Sequence, residues 1–195
     1  MSYDVELIRA DFPILERQVG EYPLAYLDSA NTSHKPQAVI DAIATHYAEH
    51  NANVARAMHL LGGEATAAFE GARAKVAAFV GARPEEIVFA KNASEALNLA
   101  AHTLGQHLGI GPGDEIVISV LEHHSNIVPW NFLRERKGVV LKFIPVLDDG
   151  RLDLEAYKGL LSEKTKMVAV THMSNVLGTV NDVAEIVRLA HAAGA

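Results

Sequence analysis

The sequence predicts an α/β fold: a mostly parallel sheet with helices on both faces. Two observations predict it. Short apolar runs at 86–90, 115–120, 139–145 and 166–171 alternate with helical stretches at 94–108, 125–137, 153–161 and 182–193. Continuous apolar strands separated by helices are those of a sheet covered on both sides. Polar runs then follow three of the strands. They are Lys91-Asn92-Ala93-Ser94-Glu95, Glu122-His123-His124-Ser125-Asn126 and Thr171-His172-Met173-Ser174-Asn175. Open α/β sheets bind ligands beyond the carboxyl ends of their strands, so the three runs describe one mouth of one sheet.

Residues 4–11 read as a short amphipathic helix, with Val5, Ile8 and Phe12 at helical spacing. Leu24 to Leu27 reads as a short strand ending at Asp28-Ser29-Ala30. Pro36 stands where a first-turn proline belongs, before a helix striped by Val39, Ile40, Ile43 and Tyr47. Gly62-Gly63 reads as a break. Residues 64–80 form the next helix, with Ala68, Phe69, Ala72, Val76 and Phe79 on one face and Gly81 as its stop. The strand–helix alternation begins there. Gly109 to Asp114 is glycine-rich, but it lies between a helix and the following strand, the wrong side of a strand for a phosphate loop, and reads as a plain turn. The chain stops after a helix at Ala192-Ala193-Gly194-Ala195, where the alternation calls for a strand. The expectation is an unfinished sheet with an unpaired edge, marginally stable and prone to associate.

Composition narrows the function classes. The 195 residues suffice for one or two domains, and 49% hydrophobic with 21% charged residues is ordinary for a globular chain. A net charge of −7 gives no electrostatic footprint for nucleic acid. Arg134, Arg136 and Lys137 form the densest basic cluster and read as the last turn of a helix, where cations are favoured. No apolar run approaches a membrane span. The first residues carry no signal-peptide pattern, so the expected compartment is the cytoplasm. With no cysteine, the chain holds no disulfide, thiolate metal site or thiol nucleophile. Ten histidines stand in no HExxH or other ligand spacing, so no metal site is expected.

Four residues carry candidate chemistry. His123, in a loop past a strand, could stack on a flat ring, shuttle a proton or simply bond to backbone. Adjacent residues of an extended segment point opposite ways, so only one of His123 and His124 faces a given ligand. Ser94 opens a helix, where its hydroxyl and free backbone N–H groups either bind an anion or serve as an N-cap. Asn175 could donate to a ligand oxygen or hold its turn. Arg56, between helices, is either a surface charge or a clamp for carboxylate or phosphate.

Several segments occur together in this order: Arg9-Ala10-Asp11-Phe12-Pro13, Tyr26-Leu27-Asp28-Ser29-Ala30, Lys35-Pro36 and Lys91 to Asn98. They are followed by Glu122-His123-His124-Ser125-Asn126-Ile127-Val128-Pro129-Trp130 and Thr171-His172-Met173-Ser174-Asn175-Val176-Leu177-Gly178-Thr179. In this the whole chain resembles the N-terminal half of the SufS-type (group II) cysteine desulfurases, class V aminotransferase relatives that use pyridoxal 5'-phosphate. The resemblance implies a partial fold type I large domain. Residues 1–20 would belong to the family's small domain and 21–195 to an incomplete cofactor-binding domain. It implies that His123 stacks on the cofactor ring and assists proton transfer. Ala93 and Ser94 would bind the phosphate, Asn175 the phenolic oxygen, and Arg56 would stand near the substrate entrance. Many relatives carry His at the position of Ala55, which weakens an entrance role copied from them.

The implied reaction takes sulfur from L-cysteine to give L-alanine and an enzyme-bound persulfide for iron–sulfur cluster assembly. The implied partners are a sulfur-acceptor protein and a second copy of the chain, with no nucleic acid and no membrane. The family's Schiff-base Lys, its ring-nitrogen Asp, its substrate Arg and its nucleophilic Cys have no counterpart in these residues, so the chain alone is expected to be inactive. Two alternatives remain: a selenocysteine lyase or other class V enzyme, and a truncated non-catalytic interaction paralogue.

Overall fold

A computed structural model describes residues 3–195. The chain forms two compact units, one ending at Phe89 and the other running from Ala90 to Ala195.

In the first unit, helix α1 (Val5–Ala10) is capped by the Asp4 carboxylate, which accepts from Leu7 N–H at 3.1 Å. A short antiparallel hairpin comes next, β1 (Gln18–Val19) against β2 (Tyr22–Pro23). The strand expected over Leu24–Leu27 does not form. The ladder ends once Leu24 N–H has bonded to Arg17 O, and no partner strand reaches 25–27 among the described residues. Pro36 is the N-cap of α2 (Gln37–Thr45), which continues as a π-helical turn over 46–50.

Helix α3 (Leu60–Val80) starts four residues earlier than the glycine pair suggests. The physical reason is local. His59 Nδ1 accepts from Gly62 N–H and caps the helix, and Gly62 lets it pack against Ala57, since a Cβ at Gly62 would lie 2.0 Å from the Ala57 Cβ. Gly81 ends α3 in the left-handed conformation, as expected. The run expected as a strand at 86–90 is also corrected. A 3-10 turn covers Pro84–Glu86 and, among the described residues, no ladder forms after it. Arg73 instead ties this segment to α3: its guanidinium donates to Ile87 O and lies 4.9 Å from the Phe69 ring centre and 5.3 Å from that of Phe89.

The second unit carries the predicted alternation. Helix α4 (Ala93–His107) leads through the Gly109–Asp114 turn to β3 (Glu115–Ser119). Then come α5 (Val128–Lys137), β4 (Val140–Ile144), α6 (Leu154–Leu160), β5 (Thr165–Ala169) and α7 (Val183–Ala192). The strands form one parallel sheet in the order β4-β3-β5.

Side chains alternate along a strand, and the central strand β3 is buried throughout. Ile116 and Ile118 pack with Ala101 of α4 and with Trp130 and Leu133 of α5. Val117 packs on the other face with Ile144, Tyr157 of α6 and Ile186 of α7. Burial of such aliphatic side chains contributes roughly 1.5–3 kcal/mol each, so helices cover both faces of the sheet. At its amino end the Glu115 carboxylate binds Lys142 Nζ at 2.7 Å and accepts from Ser162 Oγ at 2.6 Å. Among the described residues no helix is long and apolar enough to cross a membrane.

Candidate functional site

Helix α4 reaches β3 through a tight turn, so it runs back along the sheet and its N-terminus lies toward the carboxyl end of β3. His123 lies just past that end, and Asn175 just past the end of β5. Ala93, Ser94, His123 and Asn175 thus belong to one end of one sheet, where open α/β folds bind ligands.

At the start of α4 the N-cap is Asn92, not Ser94. The Asn92 Oδ1 accepts from Glu95 N–H at 3.0 Å, and Glu95 Oε2 accepts from Lys91 N–H at 2.6 Å. Ser94 is therefore relieved of capping and sits in the first turn. The N–H groups of Ala93 and Ser94 have no acceptor among the described residues. With the exposed Ser94 hydroxyl they form a donor set for a dianion, helped by the helix dipole by roughly 0.3–1 kcal/mol. The sequence signal for the true cap was present in Asn92-Ala93-Ser94-Glu95, a cap residue three before an acid.

His123 is exposed and its ring is held in place. Its Nδ1 lies 3.1 Å from Ser125 N and 2.9 Å from Ser125 Oγ. A backbone N–H can only donate, so Nδ1 accepts and the neutral ring carries its proton on Nε2. The neighbouring His124 ring stands at 89° to it, with centroids 6.3 Å apart, so the two do not share one face.

Beneath His123 lies a buried polar network that sequence reasoning missed. The Glu122 carboxylate, 8% exposed, accepts from Ser119 Oγ, from Asn126 Nδ2 at 2.7 Å and from Thr171 N–H at 2.8 Å. Asn126 Oδ1 in turn accepts from Trp130 Nε1 at 2.9 Å. Glu122, Asn126 and Trp130 recur every four residues, but they lie in a loop, in the 3-10 turn His124–Asn126 and in α5, so no single helical face carries them and the spacing is a weak signal.

Asn175 sits at the tip of a turn and is exposed. The turn is held instead by Ser174, which is 3% exposed. Its Oγ accepts from Leu177 N–H at 3.1 Å, and its backbone bonds to Thr179 O and Gly178 N at 2.9 Å each. The Asn175 carboxamide makes no hydrogen bond among the described residues. Asn181 closes the loop by donating to Thr171 O at 2.8 Å.

Arg56 belongs to the first unit. It and Ala55 both adopt positive φ, 55° and 62°, a conformation that side chains other than Gly rarely take. Ala55 N–H donates to Thr66 Oγ1 at 2.9 Å, and that hydroxyl donates to Gly62 O at 2.6 Å. The exposed Arg56 guanidinium has no hydrogen bond or ion pair among the described residues.

The second unit thus offers donors for a dianion, a held exposed ring and an unengaged carboxamide. Each could hold one part of a phosphorylated aromatic ligand: a phosphate at the helix start, a flat ring at His123 and a ring oxygen at Asn175. Among the described residues no three His, Asp or Glu side chains group as metal ligands.

The family model for aminotransferase class V matches residues 25–195. The chain is 50% identical over 194 residues to a cysteine desulfurase of Dickeya dadantii, covering 99% of this chain and 47% of that one. It is 51% identical over 197 residues to a protein of Streptomyces coelicolor described as a probable cysteine desulfurase, covering 98% and 47%. Among solved structures, the apo cysteine desulfurase of Thermococcus onnurineus superposes with a TM-score of 0.89 at 39% identity, covering 100% of this chain and 46% of that one. The chain spans about half the length of the curated relatives it matches.

Proposed function

Since the chain belongs to the aminotransferase class V family, we propose that it is the N-terminal portion of a SufS-type cysteine desulfurase dependent on pyridoxal 5'-phosphate. The observation that carries this reading is the pair of unengaged N–H groups at Ala93 and Ser94, on the sheet end that also presents His123 and Asn175. Relatives described as cysteine desulfurases, aligned along nearly the whole chain, supply the reaction class.

In this reading Ala93 and Ser94 bind the cofactor phosphate through two backbone N–H groups and a hydroxyl. His123 lies flat against the ring, a contact worth roughly 0.5–1.5 kcal/mol beyond its buried area. Its Nε2 carries the proton that can move at the substrate. Asn175 donates its carboxamide to the phenolic oxygen. Arg56 stands near the substrate entrance. The cofactor, when bound, supplies an electron sink for cleavage at the substrate β-carbon.

The whole protein would break the Cβ–S bond of L-cysteine, release L-alanine and hold the sulfur as a persulfide on a cysteine. It would pass that sulfur to an acceptor protein for iron–sulfur cluster assembly, working as a cytoplasmic homodimer. Residues 1–20 would belong to its small domain and 21–195 to its cofactor-binding domain. The 195 residues contain no cysteine, so no persulfide can form on them, and we assign them binding without turnover.

The test is to incubate the chain with pyridoxal 5'-phosphate and L-cysteine and measure alanine. Alanine should not exceed that formed by free cofactor. Catalytic production of alanine would overturn the assignment of this segment as inactive. A selenocysteine lyase would share the same cofactor contacts, and the same assay run with L-selenocysteine on the longer protein separates the two.

A further inference from the structure

Glu122 is a buried titratable group of this sheet end that the proposed chemistry leaves without a role. It is not part of an ion pair among the described residues. Three donors converge on it from three places in the chain. Ser119 Oγ comes from the end of β3, Asn126 Nδ2 from the turn that carries His123, and Thr171 N–H from the end of β5. A carboxylate is acceptor-only and can satisfy three donors at once. Asn126 adds a second strap by donating to Ala169 O at 3.3 Å, and Trp130 fixes the Asn126 amide from below. Isolated from water, such a network has one satisfied arrangement, because every unmade bond leaves a buried polar group exposed to apolar surroundings.

We propose that Glu122 is the positioning residue of the site: its carboxylate locks the His123 loop and the Asn175 loop into one register. The proposal rests on the reading of His123 and Asn175 as cofactor contacts. The geometry favours a positioning role over a purely structural one. Among the described residues the His123 ring bonds only to Ser125, its carbonyl accepts from the N–H of the same Asn126 that donates its side chain to Glu122, and the loop that bears Asn175 begins at the N–H from which Glu122 accepts. Loss of the carboxylate therefore removes a tie shared by the two loops, leaving the Asn175 turn to Ser174 and Asn181, while the sheet ladder and both hydrophobic layers remain.

The experiment uses the 195-residue chain and nuclear magnetic resonance of the His123 ring and the Asn175 carboxamide, with hydrogen exchange at Thr171 N–H. In Glu122→Gln one of the two acceptor oxygens becomes an NH2 donor, which faces either Asn126 Nδ2 or the Ser119 and Thr171 donors. Ser119→Ala removes one donor to Glu122, together with the hydroxyl that accepts from Leu121 N–H at 3.2 Å, and is the milder variant should the first not fold. Ser162→Ala is the control, since it removes a bond to Glu115 at the opposite end of the sheet.

Both Glu122→Gln and Ser119→Ala should move the His123 and Asn175 signals together and speed Thr171 exchange by about tenfold, with the β3–β4 amides still protected. Ser162→Ala should lower the melting temperature and move neither signal. The proposal is overturned if folded Glu122→Gln, or Ser119→Ala where the former is unfolded, leaves both signals in place. It is equally overturned if Ser162→Ala moves them as much. Adding pyridoxal 5'-phosphate to the unchanged chain tests the underlying reading separately. No response at Ala93 or Ser94 would sink the cofactor assignment, while the variants would still decide whether Glu122 couples the loops.

Discussion

Thr171 donates its backbone N–H to Glu122 Oε1 at 2.8 Å across 49 residues of sequence. One carboxylate thereby joins the loop after β3 to the loop after β5. At the other end of the same sheet Glu115 plays the matching part, joining β3 to Lys142 of β4 and to Thr165 of β5. The central strand is thus bracketed by two buried acids, one satisfied by neutral donors and one by a lysine.

Acid should therefore loosen the sheet from its amino end. Burial alone would raise the Glu115 carboxyl. The hydrogen bonds from Lys142, Ser162 and Thr165 and the Lys142 charge outweigh burial and hold the group below its ordinary value of 4.5. A depressed folded value contributes stability that is present above about pH 4.5 and lost as pH falls through the folded value. Glu115→Gln should flatten the dependence of stability on pH below that point in chemical denaturation. Lys142→Met should cost about 1–3 kcal/mol at neutral pH, since it strands a buried carboxylate.

Alkali acts on the other face. Burial pushes the Tyr157 phenol up to about 12, and its hydroxyl donates to Ile186 O at 3.0 Å. A raised folded value means full stability below the ordinary value near 10 and loss as pH climbs toward 12. Tyr157→Phe should cost about 1 kcal/mol at pH 7 and remove this component of alkaline unfolding. Ultraviolet titration of the phenol gives an independent reading.

Close packing in the first unit predicts a compensating pair. Gly62→Ala places a methyl 2.0 Å from the Ala57 Cβ and should cost roughly 1–3 kcal/mol. Ala57→Gly in the same chain should return part of that loss. A double-mutant cycle with no coupling would contradict the contact.

Much of the second unit was legible in the sequence because pattern and partner agree there. The runs at 115–120, 139–145 and 166–171 form paired strands within a residue or two of their expected ends. The runs at 24–27 and 86–90 carry the same local pattern and form no ladder, because a strand exists only where another backbone accepts its bonds. Leu27 and Val88 are exposed accordingly. Gly62-Gly63 resembles a break because glycine disfavours helices, and a side-chain cap with a close contact to Ala57 overrides that preference. At the site, His123 and Asn175 were visible as residue types past strand ends and Ser94 as one opening a helix, and in the first unit Arg56 was visible in a loop between helices. The supports beneath them, Glu122, Asn126 and Ser174, were hidden because their decisive bonds run to backbone groups far along the chain or within an irregular turn, Thr171 N–H, Ala169 O and Leu177 N–H, beside local side-chain bonds that no regular element announces.

The most direct measurement is titration of the chain with pyridoxal 5'-phosphate, followed by resonance shifts and repeated with Ser94→Ala. The account predicts that the Ala93 and Ser94 amides, the His123 ring and the Asn175 carboxamide respond together at one affinity. Loss of one hydrogen bond to a charged group, about 1.5–3 kcal/mol, should weaken binding by at least roughly tenfold in Ser94→Ala. Equal affinity for the two chains, or shifts confined to residues away from this sheet end, would contradict it.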